Sequence, residues 1–279
     1  MDRQPRRDPV SAIAEAEATG ETAQIFADIR QTMQLPLITS IWRTIVDVEG
    51  GLRAAWDATK PLYLTGQPEA ALHKILDRLS LPIPDPIVPG QLACADVPGE
   101  DLPKIRSIVD AYNRSNGMNL LALTALVVPS AGTPANEPLP QRLGAWPELP
   151  KLLEKPEIDE ATWTLLQHVN NGGLAAPGSR AIATLWRHLA HWPGLLAVIH
   201  AAFAPLHREG TIQRSIQEVY SASQEEGARI AHLRPDYVEI PDTVREMITR
   251  YATSPQGVAG MVTKGHALAK WLQTADSIR

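Results

Sequence analysis

The stretch Ile41-Trp42-Arg43-Thr44-Ile45-Val46-Asp47-Val48-Glu49-Gly50-Gly51-Leu52 returns 144 residues later as Leu185-Trp186-Arg187-His188-Leu189-Ala190-His191-Trp192-Pro193-Gly194-Leu195-Leu196. The match runs on without a gap through Ala58/Ala202, Pro61/Pro205 and Leu62/Leu206. A second correspondence, offset by 139, sets Ile105, Ile108, Val109 and Tyr112 against Val244, Met247, Ile248 and Tyr251. Each set has the i, i+3, i+4, i+7 spacing of one helix face. Internal repetition at this length predicts two copies of one helical unit. The change of offset falls in proline-bearing connections, where length differences are tolerated.

Between the copies, residues 128–157 carry Pro129, Pro134, Pro138, Pro140, Pro147, Pro150 and Pro156. Proline fixes φ, removes a backbone donor and keeps its predecessor out of the helical region, so an extended linker is expected. A shorter cluster, Pro82, Pro84, Pro86, Pro89 and Pro98, interrupts the first copy and reads as a surface excursion, with a counterpart at about 234–241. Helix-period faces are found at Ala23 to Met33 and over 54–64, 72–79, 105–112 and 120–128. In the second copy they cover 162–169, 181–189, 195–203, 212–232, 243–251 and 260–272. Hardly any stretch alternates apolar with polar as a half-exposed strand would. The expected fold is all-α, with helical repeat 1 over 1–127, the linker over 128–157 and repeat 2 over 158–279. The two repeats are expected to be related by a pseudo-twofold.

Composition narrows the function classes. The 279 residues are 44% hydrophobic and 20% charged, enough to build a packed core. A formal charge of -5 argues against a dedicated nucleic-acid binder, which shows a basic face. The longest apolar run, near 195–204, is too short for a bilayer span, which needs about 20 residues. The opening Met1-Asp2-Arg3-Gln4 is charged, unlike the apolar core of a secretion signal. One cysteine, Cys94, excludes an internal disulfide and a Cys-x-x-Cys pair. A cytoplasmic protein with neither nucleic-acid nor membrane partner is expected. Nothing here sets an oligomeric state.

No Gly-x-Ser-x-Gly elbow, phosphate loop or dinucleotide glycine fingerprint is present. His188 and His191 lie one turn apart, but no carboxylate completes a ligand set, and Thr44 and Asp47 hold the equivalent positions. Solvent-facing or helix-terminal histidines are expected there and at His200 and His207, with no metal. The pairs Trp42-Arg43 and Trp186-Arg187 could each offer a guanidinium to a carboxylate. Their presence in both copies favours core tryptophans with arginines that bridge lobes or cap helices. The segment Tyr112-Asn113-Arg114-Ser115-Asn116-Gly117-Met118-Asn119 has the least ordinary chemistry and lies between two apolar helical stretches. Asn donates and accepts at once and can orient a water or a carboxylate; Asn and Gly also end helices and form turns. The second copy reads Tyr251-Ala252-Thr253-Ser254-Pro255-Gln256 here, so the shared architecture does not demand the asparagines.

Three features together resemble the DehI family of group I 2-haloacid dehalogenases. They are the opening Gly20…Ile25-Phe26-Ala27-Asp28-Ile29-Arg30…Leu35-Pro36, the Asn-rich segment followed by Leu120-Leu121-Ala122-Leu123-Thr124-Ala125-Leu126, and the His191-Trp192-Pro193 turn. The likeness spans nearly the whole chain, duplication included. It implies an all-helical tandem repeat with the active site between the repeats. It also implies hydrolytic removal of halide from a small 2-haloacid by a directly activated water, without metal, organic cofactor or covalent ester.

Carried over by position, the family's water-orienting Asn falls on Asn116, a hydroxyl-bearing pocket residue on Thr184, and two aromatic pocket positions on Leu37 and Ser40. The water-activating Asp falls on Leu185, which cannot accept a proton. Three accounts stand open. The alignment shifts around 177–180, although no acid lies in 170–191; another carboxylate such as Asp47 or Asp57 takes over; or the fold is kept and its chemistry replaced. The expected function is a hydrolase acting on a small carboxylic acid. Asn116 then positions water or carboxylate, Thr184 donates to the ligand, and Leu37, Ser40 and Leu185 line the pocket. The alternatives are another reaction or ligand on the same scaffold, and a non-catalytic helical interaction protein without an enclosed pocket.

Overall fold

The structure is a computed structural model describing residues 12–132, 144–172, 182–235 and 239–275. Among the described residues there are eleven α-helices and no strand. The first five are α1 (Gly20–Met33), α2 (Ser40–Ile45), α3 (Gly51–Leu64), α4 (Gln67–Arg78) and α5 (Leu102–Val127). After the proline-rich segment come α6 (Glu160–Asn170), α7 (Thr184–His188), α8 (Pro193–Arg208), α9 (Thr211–Ile230), α10 (Asp242–Ala252) and α11 (Val258–Gln273). A 3-10 turn, Leu189–His191, carries α7 into Trp192. No helix among the described residues is long and apolar enough to cross a membrane.

The chain's punctuation explains several boundaries. Gly50 and Gly210 hold φ at 67° and 71°, a left-handed conformation that suits glycine, and turn the chain into α3 and α9. The Asp159 carboxylate accepts from the Thr162 backbone N–H at 2.9 Å and caps α6. Inside α1, Ile25, Phe26, Ile29 and Met33 form one buried face. Pro61 and Pro205 lie inside α3 and α8, each near the helix end.

Helix α5 is the axis of the molecule. It packs against α3, α4, α9, α10 and α11. Almost every residue from Met118 to Leu126 is buried, so this half of the helix is apolar nearly all round, as an internal helix must be. Beside it, Trp42, Trp56 and Tyr63 form a fully buried aromatic stack. Trp42 meets Trp56 edge-on at 5.5 Å, and Trp56 stacks on Tyr63 at 5.7 Å. Each such side chain removed from water contributes about 2–3 kcal/mol.

Two expectations are corrected here. The helices expected over 105–112 and 120–128 are not two with a polar link but parts of one 26-residue helix, Leu102–Val127. Asn113 and Asn119 find tertiary partners, on α11 and around Trp42, in place of the backbone contacts that would have made a turn. The proline cluster at 82–98 is not a plain surface excursion, since Leu81, Ile87, Leu92 and Val97 are buried. It is also tied to α11: the Trp271 indole N–H donates to the Asp85 carbonyl at 2.9 Å, and the Ile87 N–H donates to Thr274 Oγ1 at 3.1 Å. In the linker, residues 144–154 have no regular structure and 155–157 form one 3-10 turn, whereas 133–143 lie outside the described residues. Residues 177–180, where an alignment shift was considered, lie outside them as well.

Candidate active site

One face of α5 gathers the polar chemistry. Tyr112, Ser115, Asn116 and Asn119 follow at spacings of three and four and share that face. All four are buried. At its C-terminal end, Asn119 is the hub. Its Oδ1 accepts from the Trp42 indole N–H at 3.2 Å and the Tyr63 hydroxyl at 2.7 Å, while its Nδ2 donates to Thr39 Oγ1 at 2.9 Å. Thr39 and Ser115 hydroxyls also meet at 3.2 Å. Burial pushes the Tyr63 phenol well above its ordinary pKa, so it stays protonated as a donor.

At the other end of this face, Tyr112 meets α7. Its hydroxyl lies 3.3 Å from His188 Nδ1, with the two rings edge-on at 5.8 Å. His188 Nε2 lies 2.5 Å from the Pro150 carbonyl oxygen, which can only accept. That contact places the ring proton on Nε2 and leaves Nδ1 as the acceptor for the Tyr112 hydroxyl. Thr184 opens α7 one turn before His188. Burial lowers the His188 pKa below its ordinary value, and neighbouring His191 adds to the effect against the Pro150 bond. Burial also raises the Tyr112 pKa, opposed by Thr184, Arg43 and Arg187.

The five residues carried over by position are distributed as follows. Asn116 is buried mid-helix on α5, one turn from Tyr112. Thr184, the first residue of α7, reaches that same turn through Tyr112. Leu37 is buried in the loop before α2. Ser40 opens α2 half-buried, next to the Thr39 that holds α5. Leu185 is 1% exposed and belongs to the hydrophobic core. The alternative carboxylates do not join them: Asp47 and Asp57 are exposed, and Asp57 pairs with Arg53.

The histidine expectation is corrected in part. His188 does end a helix, but it is buried rather than solvent-facing, and both its ring nitrogens are engaged within the protein. His200 and His207 are half-buried around a small chamber with Trp186 and Lys264. Burial, then Lys264 and His200, pushes His207 down to about 4. The tryptophan–arginine pairs are structural. Trp42 and Trp186 are core residues, Arg43 donates to the Ile13 carbonyl, and Arg187 donates to the Leu153 carbonyl at 2.7 Å and pairs with Glu154.

Sequence reasoning singled out the Tyr112–Asn119 segment but took only Asn116 from it, weighed His188 only as a metal ligand and missed Thr39. The polar end of Tyr112 has no periodic signature. The nearby asparagine, Asn113, donates to the Gly265 carbonyl at 3.0 Å and lines a cavity of about 330 Å³ between α4, α5 and α11, with Asp110, Arg114 and His266.

Similar proteins bear out the resemblance. A configuration-inverting 2-haloacid dehalogenase from Alcaligenes xylosoxydans xylosoxydans is 24% identical over 226 residues, covering 76% of this chain and 75% of the relative. A second protein so described, from Pseudomonas sp. (strain 113), is 24% identical over 195 residues, 65% of this chain and 62% of that protein. An (R)-2-haloacid dehalogenase from Pseudomonas putida is 40% identical over 55 residues, 19% of this chain and 18% of the relative. No protein-family model matches the chain. Among solved structures, a D-2-haloacid dehalogenase mutant in complex with D-2-CPA superposes with a TM-score of 0.71 at 14% identity, over 94% of this chain and 95% of that one. The D-2-haloacid dehalogenase in complex with L-LA gives 0.70 at 14% identity over 98% and 99%. The fold is that of these all-helical enzymes.

Proposed function

We propose that this chain hydrolyses small 2-haloacids, replacing the halogen with a hydroxyl taken directly from water. The observation that carries the reading is the α5 face on which buried Asn116 stands one turn from the Tyr112–Thr184 contact, in a chain whose sequence relatives are 2-haloacid dehalogenases. Asn116 orients the attacking water or the substrate carboxylate through its amide. Thr184 meets the ligand or its water from the first turn of α7, and Leu37, Ser40 and Leu185 border the acid's alkyl part. Support for this reading over a scaffold with lost or altered chemistry comes from the shared description of the relatives. Direct attack displaces halide in one step and inverts C2, whereas a protein ester would invert it twice.

The test is halide release from separate R and S enantiomers of 2-chloropropionate and 2-bromopropionate, with chiral analysis of the lactate formed. Release of chloride or bromide with inverted lactate is expected, with the oxygen drawn from labelled water in a single turnover. No halide release from any of the four acids by folded protein would end the reading. Retained configuration would end the direct-water mechanism.

A further inference from the structure

The reading above leaves water without a base, because Leu185 occupies the position where the family resemblance puts an acid. We infer that Thr184, Tyr112 and His188 form a proton relay in which His188 Nδ1 receives the proton of the attacking water. The inference rests on the proposed hydrolytic reaction and deepens it. Two contacts carry it: the Tyr112 hydroxyl donates to His188 Nδ1, and His188 Nε2–H is anchored on the Pro150 carbonyl, with Thr184 one turn before His188 on α7. The anchor matters most. It fixes the tautomer so that the accepting lone pair faces Tyr112, as an orienting group does for a catalytic imidazole.

The repeat alignment argues against a purely structural role. Aligned at the offset of 144, His188 stands against Thr44, Thr184 against Ser40 and Leu185 against Ile41. Thr44 satisfies itself, its hydroxyl donating to the Ser40 carbonyl at 2.8 Å within α2. A short helix of this kind therefore has no need of an imidazole at that position. Only the second copy reaches across to α5 with one, on the helix that also carries Thr184 and Leu185.

In the step, water beside Thr184 gives its proton to Thr184 Oγ1. Thr184 passes its own proton to the Tyr112 oxygen, and Tyr112 passes its own to His188 Nδ1. The oxygen of the water bonds to C2 of the haloacid, the carbon–halogen bond breaks and the halide leaves with the electron pair. The imidazolium then releases its proton to solvent. Haloacid and water thus become hydroxyacid, halide and a proton. Neither alcohol ionises alone, which suits the raised Tyr112 pKa. The charged and titratable groups around the relay are Arg43 on α2, Arg187 on α7, His191 after it, and Lys151 and Glu154 on the adjoining segment. Among them, Arg187 pairs with Glu154, and the His191 ring nitrogen meets the Lys151 carbonyl at 2.9 Å.

The experiment is the pH profile of kcat/KM for bromide release by the wild type, His188→Gln, Tyr112→Phe and, as a control, His191→Gln. The neutral imidazole is the working form, and burial holds its pKa below 6.5. Wild-type activity should therefore fall as pH drops through a value under 6.5. His188→Gln and Tyr112→Phe should each lose about 100-fold or more in kcat with KM little changed, and both should lose that acid limb. His191→Gln should stay within about twofold. Tyr112→Phe removes only a hydroxyl, so it serves where His188→Gln fails to fold by circular dichroism. Variants that keep both wild-type rate and acid limb overturn the relay while the hydrolase reading stands. A wild type that releases no halide overturns both.

Discussion

At the scale of single residues, two asparagines one turn apart on α5 have opposite duties. Asn119 holds the buried Trp42 N–H and Tyr63 hydroxyl together. Replacing it with Ala strands donors that are fully out of water, at roughly 1–3 kcal/mol for each. Asn119→Ala should cost about 2–4 kcal/mol in urea unfolding, and a loss under about 1 kcal/mol would show that water or another group takes over. Asn116 occupies the same face without that aromatic load. Asn116→Ala should leave stability within about 1 kcal/mol while halide release falls about 100-fold, the scale of one lost orienting donor. Equal losses of both quantities would mean that Asn116 is structural. The Trp–Arg pairs were legible at this scale for a physical reason: duplicated residues answer to duplicated packing, and both arginines end on backbone carbonyls.

At the scale of the helix, close contacts decide more than composition does. Gly227 on α9 faces α5, and a Cβ there would stand 2.4 Å from Thr124 Cγ2 and 2.9 Å from Thr124 Cβ. Thr124 is fully buried and β-branched, with little freedom at χ1. Gly227→Ala should therefore destabilise by about 1–3 kcal/mol despite its better helix propensity, measured by chemical denaturation; a stabilised variant would show that α9 can move off. Helix faces such as Ile25-Phe26-Ile29-Met33 were legible because core packing writes a 3.6-residue period into the chain. The continuity of α5 was not, because Asn113, Asn119 and Gly117 read locally as helix-ending. What keeps them helical is distant in sequence, namely the Gly265 carbonyl, the Trp42–Tyr63 pair and the close approach of Leu72. The relay escaped for the same reason: Pro150, Tyr112 and His188 are joined only in three dimensions.

At the scale of the whole molecule, α5 packs against helices from both the earlier and the later part of the chain, and the 82–98 segment bonds to α11 and to Thr274 just past it. Unfolding should therefore be one transition, with tryptophan fluorescence and far-ultraviolet circular dichroism giving coincident urea curves; separated midpoints would mark independently stable halves. Three histidines contribute to the acid side of stability. His207 and His266 are pushed down to about 4, in both cases first by burial, and His188 is lowered as well. Between about pH 6.5 and 4 the unfolded chain binds protons that the folded chain refuses, so stability rises with pH across that window. The Tm should fall as pH is lowered from 6.5 to 4, and a flat Tm would contradict these depressed values.

The packing of Leu185 limits what that position can become. The side chain is closed in by the core, with 1% of its surface left to solvent. An aspartate placed there would have to be ionised to act as a base, inside surroundings that strongly disfavour a lone charge. Leu185→Asp would thus give an unstable protein or a protonated acid, and a single exchange at this position does not install a proton acceptor.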